Sequence, residues 1–173
     1  MAKRGSKAGR QAASGDPNPF TAFEYYAYAD QFYDAFNKLR DHLHPSISWP
    51  RYFLLCHSIE LALKAYLAKL GATPKHLKFE FGHKLDELVT EAVEKGLLLT
   101  LKTQEEIGLL NQAHREFWHR YPIDARKFEE EEGVYIIEQF IRAAHELMNT
   151  VCKEVHGVSW EELERLGSAE QQS

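Results

Sequence analysis

Long apolar runs are missing from this sequence. No stretch of about 18 apolar residues occurs, so nothing in it reads as a membrane-spanning helix. Cysteine is scarce. Cys56 and Cys152 are the only two, and each sits inside an apolar, helix-patterned stretch. They read as small core side chains and not as a disulfide framework. Met1–Ser14 has basic residues but no apolar centre, so a secretory signal is not expected there and a reducing, cytoplasmic location is. Several catalytic signatures are absent as well: no Gly-rich phosphate loop, no Gly-x-Ser-x-Gly elbow and no His-Glu-x-x-His pair. Cys56 and His57 are adjacent, but successive helical residues point about 100° apart, so the two do not by themselves make a Cys–His nucleophile.

What is present is the mixture of a globular domain. Hydrophobic residues make up 44% and charged residues 27% of 173, enough for one well-buried core and too little chain for two ordinary domains. The net charge of −5 is unevenly spread: Lys3, Arg4, Lys7 and Arg10 against Asp16 give residues 1–16 a net +3, leaving −8 on the remainder. A protein that binds nucleic acid over its whole surface is normally basic, so a polyanion here needs a local patch or the tail. The division expected is a disordered basic tail over 1–17, one domain over 18–167 and a disordered tail over 168–173.

Within the domain the apolar period is helical throughout, with no strand alternation and no internal repeat. After the breaker Asp16-Pro17-Asn18-Pro19, the segment Thr21-Ala22-Phe23-Glu24 fits a capping box. Tyr25, Tyr28, Phe32, Ala35, Phe36, Leu39 and Leu43 then recur in steps of three and four, predicting a first helix to about His42. Pro50 opens a second, carrying Leu55, Ile59, Ala62, Leu63, Tyr66, Leu67 and Leu70 up to Gly71; it is the most apolar and is expected at the centre. Thr73 to Phe81 reads as a loop. A third helix holds Leu85, Leu88, Val89 and Ala92, ending at Gly96, and Thr103-Gln104-Glu105-Glu106 reads as the box that opens a fourth with Ile107, Leu110, Ala113 and Phe117. The fifth carries Ile137, Phe140, Ile141, Ala144, Leu147, Met148, Val151 and Val155, and Ser159-Trp160-Glu161-Glu162 caps a short sixth. The fold class expected is all-α: an antiparallel bundle of four to five main helices with short additions. With ten Phe, eight Tyr and three Trp, the chain is expected to leave apolar surface for a homodimer, with Phe32, Phe36, Phe140 and Met148 as contributors.

Nine histidines raise the question of metal. A di-iron bundle uses two Glu-x-x-His pairs on separate helices plus two glutamates. Glu116 and His119 have that spacing, Glu80 and His83 share it across Phe81-Gly82, and Glu24 and Glu60 are the remaining candidates. One pair falls in a loop, so no metal and no other cofactor is expected. On the second helix His57, Glu60 and Lys64 fall at i, i+3 and i+7, a polar line opposite the apolar stripe, with Glu60 and Lys64 oriented favourably for an ion pair. The line reads either as a polar edge that orients neighbouring helices or as a partly buried polar site. On the fourth helix His114 and Trp118 are i, i+4, as are Arg115 and His119, with Arg120 and Tyr121 following. Cations interleaved with aromatics can hold phosphate and stack bases, or Trp118 can serve as a core or interface aromatic.

The helix His57-Ser58-Ile59-Glu60-Leu61-Ala62-Leu63-Lys64-Ala65-Tyr66-Leu67, then Gly82-His83-Lys84-Leu85, then Arg120-Tyr121-Pro122, resembles in order and placement the HEPN superfamily over residues 20–155. Those are helical-bundle domains of prokaryotic defence, toxin and nucleotidyltransferase-associated systems. The resemblance implies a bundle that dimerises and, in active members, a metal-independent RNase with an Arg followed a few residues later by a His. In such a site the His moves a proton and the Arg offsets charge building on the phosphate. Arg51 and His57 have the spacing, but Tyr52 stands where the family carries a polar residue, and the match lies on the second helix instead of the C-terminal part. There, Arg142 and His145 are too close together. The reading is an inactive or divergent member: a binding or regulatory module for a nucleotide, RNA, a nucleotidyltransferase or another protein partner. His57, Glu60, Lys64, His83, Arg115, Trp118, His119 and Arg120 are its binding candidates. An RNase using Arg51 and His57, and a purely structural bundle, are the alternatives. His57 is expected to touch its own bundle, and Arg51 to be solvent-exposed.

Overall fold

The computed structural model describes residues 21–39, 49–115 and 137–170, which are helical with no strand among them. The parts of the two expected tails that fall in 1–20 and 171–173 lie outside the described residues. None of the described helices is long and apolar enough to cross a membrane.

Helix α1 (Ala22–Lys38) starts as its sequence dictates. Thr21 Oγ1 accepts from the Glu24 N–H at 3.2 Å, and Glu24 Oε2 accepts from the Thr21 N–H at 2.7 Å, satisfying two orphan donors reciprocally. It ends at Lys38, short of the expected His42. Helix α2 (Trp49–Lys69) is the axis of the fold, packed against α1, α4 (Leu85–Glu94), α5 (Leu101–Arg115) and α6 (Ile137–His156). Between α2 and α4 the expected loop is instead coiled: a short turn, α3 (Pro74–His76), runs into a π-helical turn over Leu77–Phe81. Thr73 Oγ1 caps the His76 N–H at 3.2 Å, and fully buried Leu77 anchors the turn, which widens until the Gly82 N–H reaches Leu77 O at 3.2 Å. Helix α7 (Trp160–Glu170) follows a Ser159–Glu162 capping box and continues into the segment read as a tail.

The core is one contiguous cluster, with Leu55, Ile59, Leu63 and Leu67 of α2 facing Tyr26, Tyr33 and Phe36 of α1 and Phe140, Leu147, Met148 and Val151 of α6. Each large aliphatic or aromatic side chain so buried contributes roughly 1.5–3 kcal/mol before entropy is set against it. Phe36, Phe140 and Met148 are thus core residues, not the dimer surface expected of them: one bundle of this size closes over them. Tyrosine hydroxyls peg the helices together at backbone carbonyls, Tyr26 of α1 to Met148 O at 3.2 Å and Tyr52 of α2 to Leu110 O at 3.2 Å. The Trp160 indole N–H donates to Asp30 Oδ1 at 2.9 Å and ties α7 to α1.

The start of α5 differs from expectation. Thr100, not Thr103, supplies the capping oxygen, accepting from the Thr103 N–H at 3.2 Å. Thr103 is buried inside the first turn, where its hydroxyl donates to Glu146 Oε2 at 2.6 Å, and Glu106 is paired with Arg142 of α6. Both partners of the expected box are drawn away by α6.

Candidate functional site

The polar line on α2 is not at an edge. Because α2 is enclosed by four helices, the side opposite its apolar stripe is interior too, and the Glu60 side chain is only 2% exposed. A carboxylate there must be fully hydrogen-bonded or neutralised. Lys64, one turn on, donates to Glu60 Oε1 at 2.6 Å. His83, just before α4, brings Nδ1 to 2.9 Å from Oε2 and 3.1 Å from Oε1. His114 of α5 brings Nε2 to 2.8 Å from Oε2. His57 stands further off, its Nδ1 3.8 Å from Oε2, too far for a hydrogen bond.

The surrounding chain fixes these positions. Gly82 has φ 55°, a backbone state open to Gly at little cost, and turns its carbonyl to accept a second bond from Lys64 Nζ at 2.7 Å. Asn111, one turn before His114, accepts the Leu85 N–H on Oδ1 at 2.8 Å and so clamps the start of α4 to α5. The rings of His83 and His114 meet edge to face at 5.9 Å.

Burial acts to raise the Glu60 pKa, but hydrogen bonds from the histidines and the Lys64 charge outweigh it, and the group is held well below the usual carboxylate range. Burial also lowers the His114 pKa against the pull of Glu60. The pair is therefore a carboxylate accepting from a neutral imidazole N–H, with Lys64 supplying the balancing charge. Glu60 Oε2, His83 Nδ1 and His114 Nε2 lie within 4.8 Å of one another, the one such grouping of His, Cys, Asp and Glu donors among the described residues.

Of the residues singled out in the sequence, His57, Glu60, Lys64 and His83 come together as one site. His114, grouped with Trp118 by its i, i+4 spacing, lies wholly buried on Glu60. The available signal was its position three residues after Asn111, two polar residues on one helix face. His83 turns to Glu60, while Glu80, its expected partner by spacing, is exposed, and Glu24 is spent on the cap of α1. Glu116 and His119 lie outside the described residues, as do Trp118, Arg120 and the side chain of Arg115.

Arg51 and His57 are held by separate aromatic contacts. The Arg51 guanidinium lies 4.5 Å over the Phe36 ring, half-buried and not in open solvent as expected. His57 is edge-on to Phe32 at 4.4 Å and stacked on Phe53 at 5.4 Å. Six residues of helix separate the two by about 9 Å along the axis. Burial drives the Cys56 thiol far above its ordinary range, which removes it as a nucleophile. Among known proteins, no family model, curated protein or solved structure matches this chain.

Proposed function

We propose that this chain is a HEPN-like binding and regulatory module that works as a homodimer and docks a protein partner, with no ribonuclease activity of its own from Arg51 and His57. The carrying observation is that the polar groups suited to chemistry are engaged inside the bundle. His57 sits in a slot between Phe32 and Phe53 with Nδ1 turned towards Glu60, and Arg51 stacks on Phe36. A phosphate attacked in such a reaction needs both groups on itself at once.

Surface chemistry favours protein over polyanion. The chain beyond residue 16 carries −8, whereas Leu98, just before α5, and Leu101 and Leu109 on it are 84%, 77% and 59% exposed. The core closes without them, and Gly108 between them adds no side chain to interrupt contact.

Light scattering at micromolar concentration is expected to give twice the 20.0 kDa of one chain, and Leu101→Glu with Leu109→Glu to give the monomer without loss of helix. In an RNA cleavage assay the wild type is expected to be no faster than Arg51→Ala, His57→Ala. A metal-independent activity abolished by that pair of substitutions, with helicity intact, makes the protein a ribonuclease instead.

A further inference from the structure

We propose that Glu60, His83 and His114 form a binding site for one divalent transition-metal ion of the zinc class, held by Glu60 Oε2, His83 Nδ1 and His114 Nε2. The inference is independent of the partner reading above and goes beyond it.

The donor set is the first ground. Two imidazoles and one carboxylate suit Zn²⁺ and its first-row neighbours, and three protein ligands leave a position for water. Convergence is the second. Both imidazole nitrogens reach Oε2, at 2.8 and 2.9 Å, with His83 Nδ1 also 3.1 Å from Oε1, the oxygen that Lys64 takes. The ligands come from α2, the entry to α4 and α5, so tertiary packing has aimed three side chains at one point. Bonds of about 2.0–2.1 Å in tetrahedral geometry place ligand atoms roughly 3.3 Å apart, so each imidazole withdraws from Oε2 by a few tenths of an ångström, and the three donor atoms already lie within 4.8 Å of one another.

The surroundings are those of a supported site. A ligating carboxylate is normally held by a further hydrogen bond on its other oxygen, the part Lys64 plays on Oε1. Asn111 fixes the α4–α5 junction on which His83 and His114 depend. Access exists on one side: His83 is 39% exposed, while Glu60 and His114 are enclosed. Lys64 opposes a second cation by its charge, but its other acceptor, Gly82 O at 2.7 Å, holds it in place while the ion sits on Oε2. Each imidazole then turns its lone pair, in place of its N–H, towards the shared point.

The test uses the full chain after treatment with a chelator. Titration with Zn²⁺ by calorimetry is expected to show one ion per chain, and Co²⁺ to develop the visible absorption of a low-coordinate nitrogen and oxygen site. His83→Ala is the variant of choice, because a half-exposed ring can be lost without unfolding the bundle, as circular dichroism will verify. It is expected to weaken Zn²⁺ binding at least about tenfold and to abolish the Co²⁺ spectrum. His76→Ala, an exposed histidine away from Glu60, is expected to leave both unchanged. Absence of stoichiometric binding, or binding that His83→Ala leaves intact, overturns the proposal and makes the cluster a hydrogen-bond network alone.

Discussion

His114 Nε2 lies 2.8 Å from Glu60 Oε2, joining two side chains 54 positions apart in the chain, neither with appreciable exposure. One residue alone at either position is a costly buried polar group; together they fasten α5 to α2.

Removing one partner therefore costs more than the contact is worth. His114→Ala leaves the carboxylate short of a donor in a cavity and is expected to lower stability by about 3–5 kcal/mol. His83→Ala, at a half-exposed position where water can replace the ring, is expected to cost no more than about 1 kcal/mol. Urea unfolding midpoints at constant slope distinguish the two.

Tyr52→Phe deletes the hydroxyl that donates to Leu110 O across the α2–α5 contact. The carbonyl is left without that donor in the core, for an expected loss of about 1–2 kcal/mol. Tyr66→Phe is the comparison. Its partner, Lys95 O, lies at an exposed helix end that water reaches, and the loss measured by thermal unfolding is expected to be smaller.

Acid sensitivity is expected at Glu146. Burial acts to raise its pKa, but bonds from the Thr100 N–H at 2.8 Å and the Thr103 hydroxyl at 2.6 Å, with the Arg142 charge, bring it below the ordinary 4.5. A carboxylate depressed in the folded state stabilises the fold above its unfolded pKa and loses that contribution as pH falls through the folded value. Glu146→Gln is expected to be less stable than wild type at neutral pH and to converge with it below pH 4.5, read from denaturation midpoints across the range.

Cys56 and Cys152 are both buried, and burial raises both thiols. Under native conditions a thiol reagent is expected to modify neither at a useful rate, and in urea to modify both. Fast modification of Cys56 in the folded protein contradicts its place in the core.

Much of the architecture was legible along the chain. Apolar residues recurring every three or four positions marked α1, α2, α4, α5 and α6, and Thr21 with Glu24 marked the start of α1 because that exchange of hydrogen bonds is local. Box reading failed at Thr103, where one acceptor and one donor from α6, Glu146 and Arg142, displace the local pairing. The π-helical turn after α3 was equally hidden, since burial of Leu77 makes it, not a propensity of the segment.

By itself, then, the order of residues determined which side chains share a helix face: His57, Glu60 and Lys64 are collinear in any helix that contains them. Only the tertiary structure decided that this face lies inside. Periodicity describes one element at a time, and it places the polar side of a helix in water by default. With α1, α4, α5 and α6 packed around α2 the position of Glu60 is closed to water, so its carboxylate takes its partners from Lys64, His83 and His114. The two histidines come from chain 23 and 54 residues distant, a separation that no local pattern encodes.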